Sequence, residues 1–263
     1  MLPFHRRLAE IGLSAISEFG FVLAGGYAIS ANGMGDRPSE DVDMFTNRAD
    51  PDDFASAVER LRSAYLTYGL HVEDIRIRPT FADFHLTDPA TGEASSVQLG
   101  LDFRAFPPAT LEVGPVLDPR DAVAAKMSAL WSRGEARDYI DIDTVIDSGR
   151  FSRDGVLAIA DQSQAVPMDR QTLATRFREA SRHDEGIFAQ YGVDAARRAT
   201  ILANFTQWGD EIDPPPSGGG GSGPAPVPSP QWETIEPALP TDPRRHQLPG
   251  HGEHPQHRFG VDR

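Results

Sequence analysis

Two short apolar runs, joined through a glycine pair and closing on an Asp-x-Asp doublet, constrain this chain more than any other feature. Phe21 to Ala24 reads as a short buried strand, Gly25-Gly26 as a tight turn, Tyr27 to Ala31 as a short helix and Asn32 to Pro38 as a loop. Asp41 to Thr46 then forms a second strand. Alternate side chains of a strand share a face, so Asp41 and Asp43 leave the backbone together, about 6.6 Å apart at the rise of an extended chain.

The flanking segments supply a scaffold for that stretch. Residues 4 to 19 place Phe4, Leu8, Ile11 and Ile16 at helical spacing and stop at Gly20. A helix is expected from about Phe54 to Tyr68, followed by strands over His71–Arg78 and Phe81–Thr87 and a turn at Asp88–Gly92. A last strand, Ser96 to Arg104, puts Val97, Leu99, Leu101 and Phe103 on one face and Asp102 on the other. This is an α+β pattern, a mixed or antiparallel sheet with helices packed on one side. Asp118-Pro119 is a good helix start, so helices follow over about Pro119–Arg133 and Glu135–Ile146. Only helical patterns come after, roughly Arg153–Ala160, Asp169–Ser181 and Val193–Trp208. The expected organisation is a sheet domain over residues 1–117, a helical subdomain over 118–213 and a disordered Pro/Gly-rich tail over 214–263.

The residues also carry chemistry. Two carboxylates on one strand face can grip divalent cations, which in two-metal sites lie about 3.5–4 Å apart. With no cysteine in the chain, oxygen ligands point to Mg2+ or Mn2+. Asp102 is the expected third ligand, or the base that deprotonates an acceptor. Glycines between a strand and a helix let a phosphate approach the backbone, and Gly25 and Gly26 stand there with Ser39 close to the doublet. A phosphate carried by Ser39 itself would add negative charge beside Asp41 and Asp43 and block a nucleotide. Lys126 is the single lysine among 25 cationic residues, which marks a place where the wider guanidinium does not serve. Lys126, Arg133 and Arg137, spaced by seven and four, form one stripe if their helices align, and three cations suit a triphosphate. Alternatively the arginines are surface charges paired with Glu135 and Asp141. Asp138 orients Arg133 or Lys126, or touches a base or ribose.

Leu23-Ala-Gly-Gly-Tyr-Ala28 followed by Arg37-Pro-Ser-Glu-Asp-Val-Asp43 resembles the signature of the AbiEii-type nucleotidyltransferase toxins of type IV toxin–antitoxin systems, within the polymerase-β-like nucleotidyltransferase fold. The resemblance continues at Lys126 and at Arg133-Gly-Glu-Ala-Arg-Asp-Tyr-Ile-Asp141 and covers about residues 20 to 147. It implies transfer of a nucleoside monophosphate from an NTP to the 3′ end of a tRNA, opposed by a cognate antitoxin. Other acceptors keep the same chemistry: a cationic small molecule, as for the aminoglycoside nucleotidyltransferases, or a protein hydroxyl. A module that binds nucleotide or a partner without catalysis is the reading from a different class.

Composition sets limits on these readings. The formal net charge of -14 argues against broad binding to a phosphate backbone, though a local basic groove remains open. No run of 18 or more apolar residues occurs, and the N-terminus lacks a signal-peptide pattern, so a cytoplasmic protein, acting as a monomer and away from membranes, is expected. Four of the eight histidines, His246, His251, His254 and His257, fall in the tail at irregular spacing, which reads as a solvated segment.

Overall fold

The computed structural model describes residues 1–163 and 166–215. The tail and its four histidines lie outside the described residues, apart from positions 214 and 215. Met1–Pro216 forms a compact unit.

Nine α-helices, two short 3-10 helices (Ser17–Phe19 and Glu179–Arg182) and seven strands build the described part. In chain order they are α1 (Pro3–Ile16), β1 (Val22–Leu23), α2 (Gly25–Ala31), β2 (Asp41–Thr46), α3 (Pro51–Thr67), β3 (His71–Arg78), β4 (Phe81–Thr87), β5 (Ala94–Leu101), β6 (Ala109–Leu111) and β7 (Gly114–Val116). Then come α4 (Pro119–Ser132), α5 (Ala136–Asp147), α6 (Arg153–Gln162), α7 (Arg170–Arg178), α8 (Glu185–Gln190) and α9 (Ala195–Ile212). The strands make one sheet in the order β3-β4-β5-β2-β1-β7-β6. β2 pairs with β5, and β1 with β7, in parallel; the other pairings are antiparallel. The expected α+β class holds.

The glycine pair behaves differently from the expectation. Gly25 and Gly26 are the first two residues of α2, not a separate turn, with Gly25 at φ 58° and Ala24 as an N-cap that contributes no side-chain hydrogen bond. A β-carbon at that φ would be strained, so the entry into α2 depends on glycine. The helix start at Pro119 follows the rule read from sequence, with Asp118 accepting from the Arg120 amide, whereas α3 begins at Pro51, three residues before the expected Phe54, because Asp50 caps it by accepting from the Asp52 and Asp53 amides.

Period-two alternation decides what the sheet presents on each side. Val42, Met44, Ala82, Phe84, Leu86, Val97 and Leu99 are fully buried on one face, under α1 and α3. α1 lies close enough that a β-carbon on Gly12 would stand 2.6 Å from the Met44 methyl, and Tyr65 Oη of α3 donates to the Leu8 carbonyl at 2.9 Å. The opposite face carries Asp41, Asp43, Asp83, His85, Ser96 and Gln98, all only partly covered. Asp41 and Asp43 therefore emerge on the face that α1 and α3 leave free.

The helical half has its own aromatic centre. Phe177, Phe205 and Trp208 stack together, with Tyr139 edge-on to Phe205 at 5.0 Å between ring centres. Each such ring pair contributes about 0.5–1.5 kcal/mol beyond the area it buries. The Tyr139 hydroxyl donates to the Arg176 carbonyl at 2.7 Å, which ties α5 to α7. α5 is thereby fixed as a rigid support for the charged residues on its other side.

Candidate active site

Asp43 stands against the start of α2. A β-carbon placed on Gly25 would lie 1.8 Å from Asp43 Oδ2 and 2.7 Å from its Cγ, so the carboxylate occupies the space that only glycine leaves open. The backbone locks the same junction, since the Ala24 amide donates to the Asp43 carbonyl at 2.9 Å. Beside it, the buried Ser39 hydroxyl donates to Asp41 Oδ1 at 3.1 Å. A β-carbon on Gly26 would meet Ser39 Oγ at 3.0 Å and Arg37 Nη2 at 3.1 Å. Gly25, Gly26, Ser39, Asp41 and Asp43, all expected from sequence, are brought together.

The cations arrive from the helical half. Lys126 Nζ sits 2.7 Å from Asp141 Oδ2, and Arg37 grips the same carboxylate through Nε at 2.8 Å and Nη2 at 3.0 Å. All three side chains are nearly inaccessible. Two cations on one carboxylate leave an excess positive charge beside Gly26, a composition that attracts an anion. Arg133 is held by Asp138 in a fork, Nε at 2.9 Å and Nη2 at 3.0 Å, while Arg137 pairs with Glu135 at 2.8 Å and reaches Glu40 at 3.5 Å. Asp138 is fully buried and also accepts from the Glu135 amide, closing a capping box at the start of α5. Of the roles open to Asp138, orienting Arg133 is the one the geometry displays.

These groups share one electrostatic field. Burial, and then the charge of Asp41, push the Asp43 carboxyl up to about 7, against the pull of Lys126, Arg137 and Arg133. Lys126, Arg133 and Arg137 each lower that carboxyl through their charge while pairing with Asp141, Asp138 and Glu135 respectively. Asp141 shows the opposite balance: burial alone would raise it, but Lys126 and Arg37 together bring it below the ordinary carboxylate range.

Asp102 requires a correction. β5 ends at Leu101, which pairs with Thr46, so Asp102 lies beyond the strand. The residue level with Asp43 on β5 is Gln98, and Ser96 is level with Asp41. Asp102 is thus displaced about 13 Å along the sheet from the level of Asp43. It is exposed, its amide donates to the Thr46 carbonyl and its carboxylate accepts from the Phe103 amide at 2.8 Å. Its place is the end of the strand, not the acidic doublet. Among the described residues no group of three or more His, Asp or Glu is arranged to hold a metal.

Arg37 and Asp141 are the site residues that reasoning from the sequence did not assign. Arg37 opens the Arg-Pro-Ser-Glu-Asp-Val-Asp motif, the signal that could have found it, but its partner lies 104 positions away. A family model described as nucleotidyl transferase AbiEii toxin, type IV TA system, matches residues 15–191. The chain belongs to this family. It is therefore a nucleotidyltransferase of the AbiEii type, and the family's toxin–antitoxin setting implies a cognate antitoxin. MenT4, a nucleotidyltransferase toxin from Mycobacterium tuberculosis H37Rv, has a similar solved structure: TM-score 0.52 and 16% identity, over 80% of this chain and 85% of that one. JHP933 from Helicobacter pylori is similar with a TM-score of 0.47 and 15% identity, over 80% of this chain and 90% of that one. At such identities the likeness to MenT4 concerns the fold. No curated protein sequence matches significantly. No helix among the described residues is long and apolar enough to cross a membrane.

Proposed function

We propose that this AbiEii-family enzyme transfers a nucleoside monophosphate from an NTP to the 3′ hydroxyl of a tRNA, with Mg2+ or Mn2+ held by Asp41 and Asp43. The observation that carries the reading is the junction of Gly25 with Asp43, backed by the Lys126–Asp141–Arg37 cluster: an anion-attracting cradle directly beside a carboxylate pair. Mg2+ is often bound by only one or two carboxylates together with substrate phosphates, and a two-carboxylate site fits that pattern. When bound, the cation would polarise the α-phosphate and neutralise developing charge.

The residues divide the remaining work. Gly25 admits the Asp43 carboxylate against the start of α2, Gly26 leaves room for Ser39 and Arg37, and Ser39 fixes the Asp41 carboxylate for its task. Lys126, Arg133 and Arg137 balance the charge of the leaving pyrophosphate. The acceptor oxygen forms a bond to the α-phosphorus as the bond from that phosphorus to the bridging oxygen of the β-phosphate breaks in line, pyrophosphate leaves, and the proton of the acceptor hydroxyl passes to solvent. Asp138 and Asp141 position cations and do not touch the reacting atoms.

The net charge of -14 favours a second acceptor class, a cationic small molecule. One assay separates the two. The full chain is incubated with each α-labelled NTP and Mg2+ or Mn2+, offered total tRNA or an aminoglycoside, with Asp43→Ala as control. Label in tRNA supports the first reading; label only in the small cation replaces it.

A further inference from the structure

Asp83 occupies a position that the reaction described so far does not use. It lies on the free face of the sheet, in a cross-strand row set by the register: Arg76 on β3, Asp83 on β4, Gln98 on β5 and Asp43 on β2. Two strand spacings separate it from Asp43, about 10 Å across the sheet. Its Oδ1 is buried and has no hydrogen-bond partner, one of only two such side-chain atoms among the described residues. An orphaned buried oxygen destabilises a fold, so its retention needs a reason outside the fold.

The surroundings say which kind of group it awaits. Burial raises the Asp83 carboxyl, Arg76 lowers it, Asp41 raises it and His85 lowers it. The carboxylate thus shares a field with Asp41, and neither basic neighbour forms a close ion pair with it among the described residues. On the row next to it, His85 and Ser96 lead to Asp41. The whole strip is partly open, and it runs from the acidic doublet across β5 and β4, away from Gly25 and Gly26.

We propose that Asp83 binds the acceptor, accepting a hydrogen bond from the 2′-hydroxyl of the nucleotide that precedes the reacting 3′ terminus. This rests on the tRNA reading above. A separation of about 10 Å is too long for contact with the reacting oxygen and suits the neighbouring nucleotide. A carboxylate takes a hydroxyl hydrogen without exchanging a proton, and it discriminates against an acceptor lacking that hydroxyl because the buried oxygen is then left unpaired.

The test pairs Asp83→Ala and Asp83→Asn with two acceptors, natural tRNA and tRNA carrying a 2′-deoxy nucleotide at the penultimate position. The wild-type enzyme should lose about 10-fold or more in kcat/KM on the deoxy acceptor, the scale of a hydrogen bond to a charged group. Asp83→Ala should show that loss already with natural tRNA, as a raised acceptor KM, and no further loss with the deoxy acceptor. The NTP KM should stay at the wild-type value and the melting temperature at or above it in both variants, and Asp83→Asn carries the same comparison if the alanine variant folds poorly. Equal use of both tRNAs by the wild type, or an unchanged acceptor KM in the variants, overturns the assignment of Asp83 alone. Failure of the wild type to label any tRNA overturns the tRNA reading and this inference with it.

Discussion

Gly25→Ala is the sharpest perturbation the site offers. The new methyl carbon would stand 1.8 Å from Asp43 Oδ2, 2.7 Å from Cγ and 3.0 Å from Cβ. Van der Waals contact between carbon and oxygen lies well beyond 3 Å, so either the carboxylate turns away by more than an ångström or the start of α2 retreats. The left-handed φ of 58° adds its own cost, about 1–2 kcal/mol for a residue with a β-carbon. Overpacking at the carboxylate adds about 1–3 kcal/mol. The expected loss of stability is therefore about 2–5 kcal/mol by chemical denaturation, and displacement of Asp43 by an ångström lowers turnover about 100-fold. A double-mutant cycle isolates the clash. In an Asp43→Ala background the carboxylate is gone, so Gly25→Ala should cost only the left-handed part, about 1–2 kcal/mol. Equal costs in the two backgrounds, or wild-type turnover by Gly25→Ala, would refute the claim that this glycine exists to admit Asp43.

Other perturbations follow from the same geometry. Asp102→Asn should keep nucleotidyl transfer within about 3-fold of wild type, since the residue only ends β5; a loss on the order of the 100-fold seen for removed transition-state contacts would restore it to the site. Lys126→Arg should lower activity at least 10-fold despite keeping the charge, because the buried space beside Asp141 is shaped for an ammonium and is already shared with the Arg37 fork; steady-state kinetics decide it. Asp141→Asn leaves two buried cations unpaired and should cost about 3–5 kcal/mol at neutral pH. The sign of its pH dependence is fixed: the folded-state carboxyl lies below the usual 3.8, so its stabilisation is present above that pH and is lost as pH falls toward the folded value. Denaturation midpoints between pH 2 and 6 should show the gap between wild type and Asp141→Asn closing below about pH 4.

Local pattern gave away the parts of this fold that are determined locally. The alternation in Asp41–Thr46 and the Asp118-Pro119 helix start each follow from a few adjacent residues, and those elements formed where the residues placed them, while the glycine pair joined α2 instead of making a separate turn. Asp102 failed for a reason the alternation could not contain. Its face on a strand could be read, but its level along the sheet depends on the parallel register of β2 with β5, which no short stretch encodes. The same limit hid β7, three residues whose pairing with β1 is parallel and distant, and β6, three residues paired antiparallel with β7 alone. Arg37 and Asp141 stand within the motifs that carry the family resemblance, but they lie on a loop and a helix that meet only in the folded chain, so their pairing has no local signal. Lys126 was legible because composition made it singular.

The central claim is that Asp41 and Asp43 direct transfer of a nucleoside monophosphate, and the position of the label tests it most directly. The full chain is given tRNA, Mg2+ or Mn2+ and the same NTP labelled either at the α- or at the γ-phosphate, with Asp43→Asn in parallel. Label should enter the tRNA from the α-labelled nucleotide alone, with release of pyrophosphate, and Asp43→Asn should lose at least about 100-fold. Transfer from the γ-labelled nucleotide, or undiminished labelling by Asp43→Asn, would contradict the assignment of these carboxylates to nucleotidyl transfer.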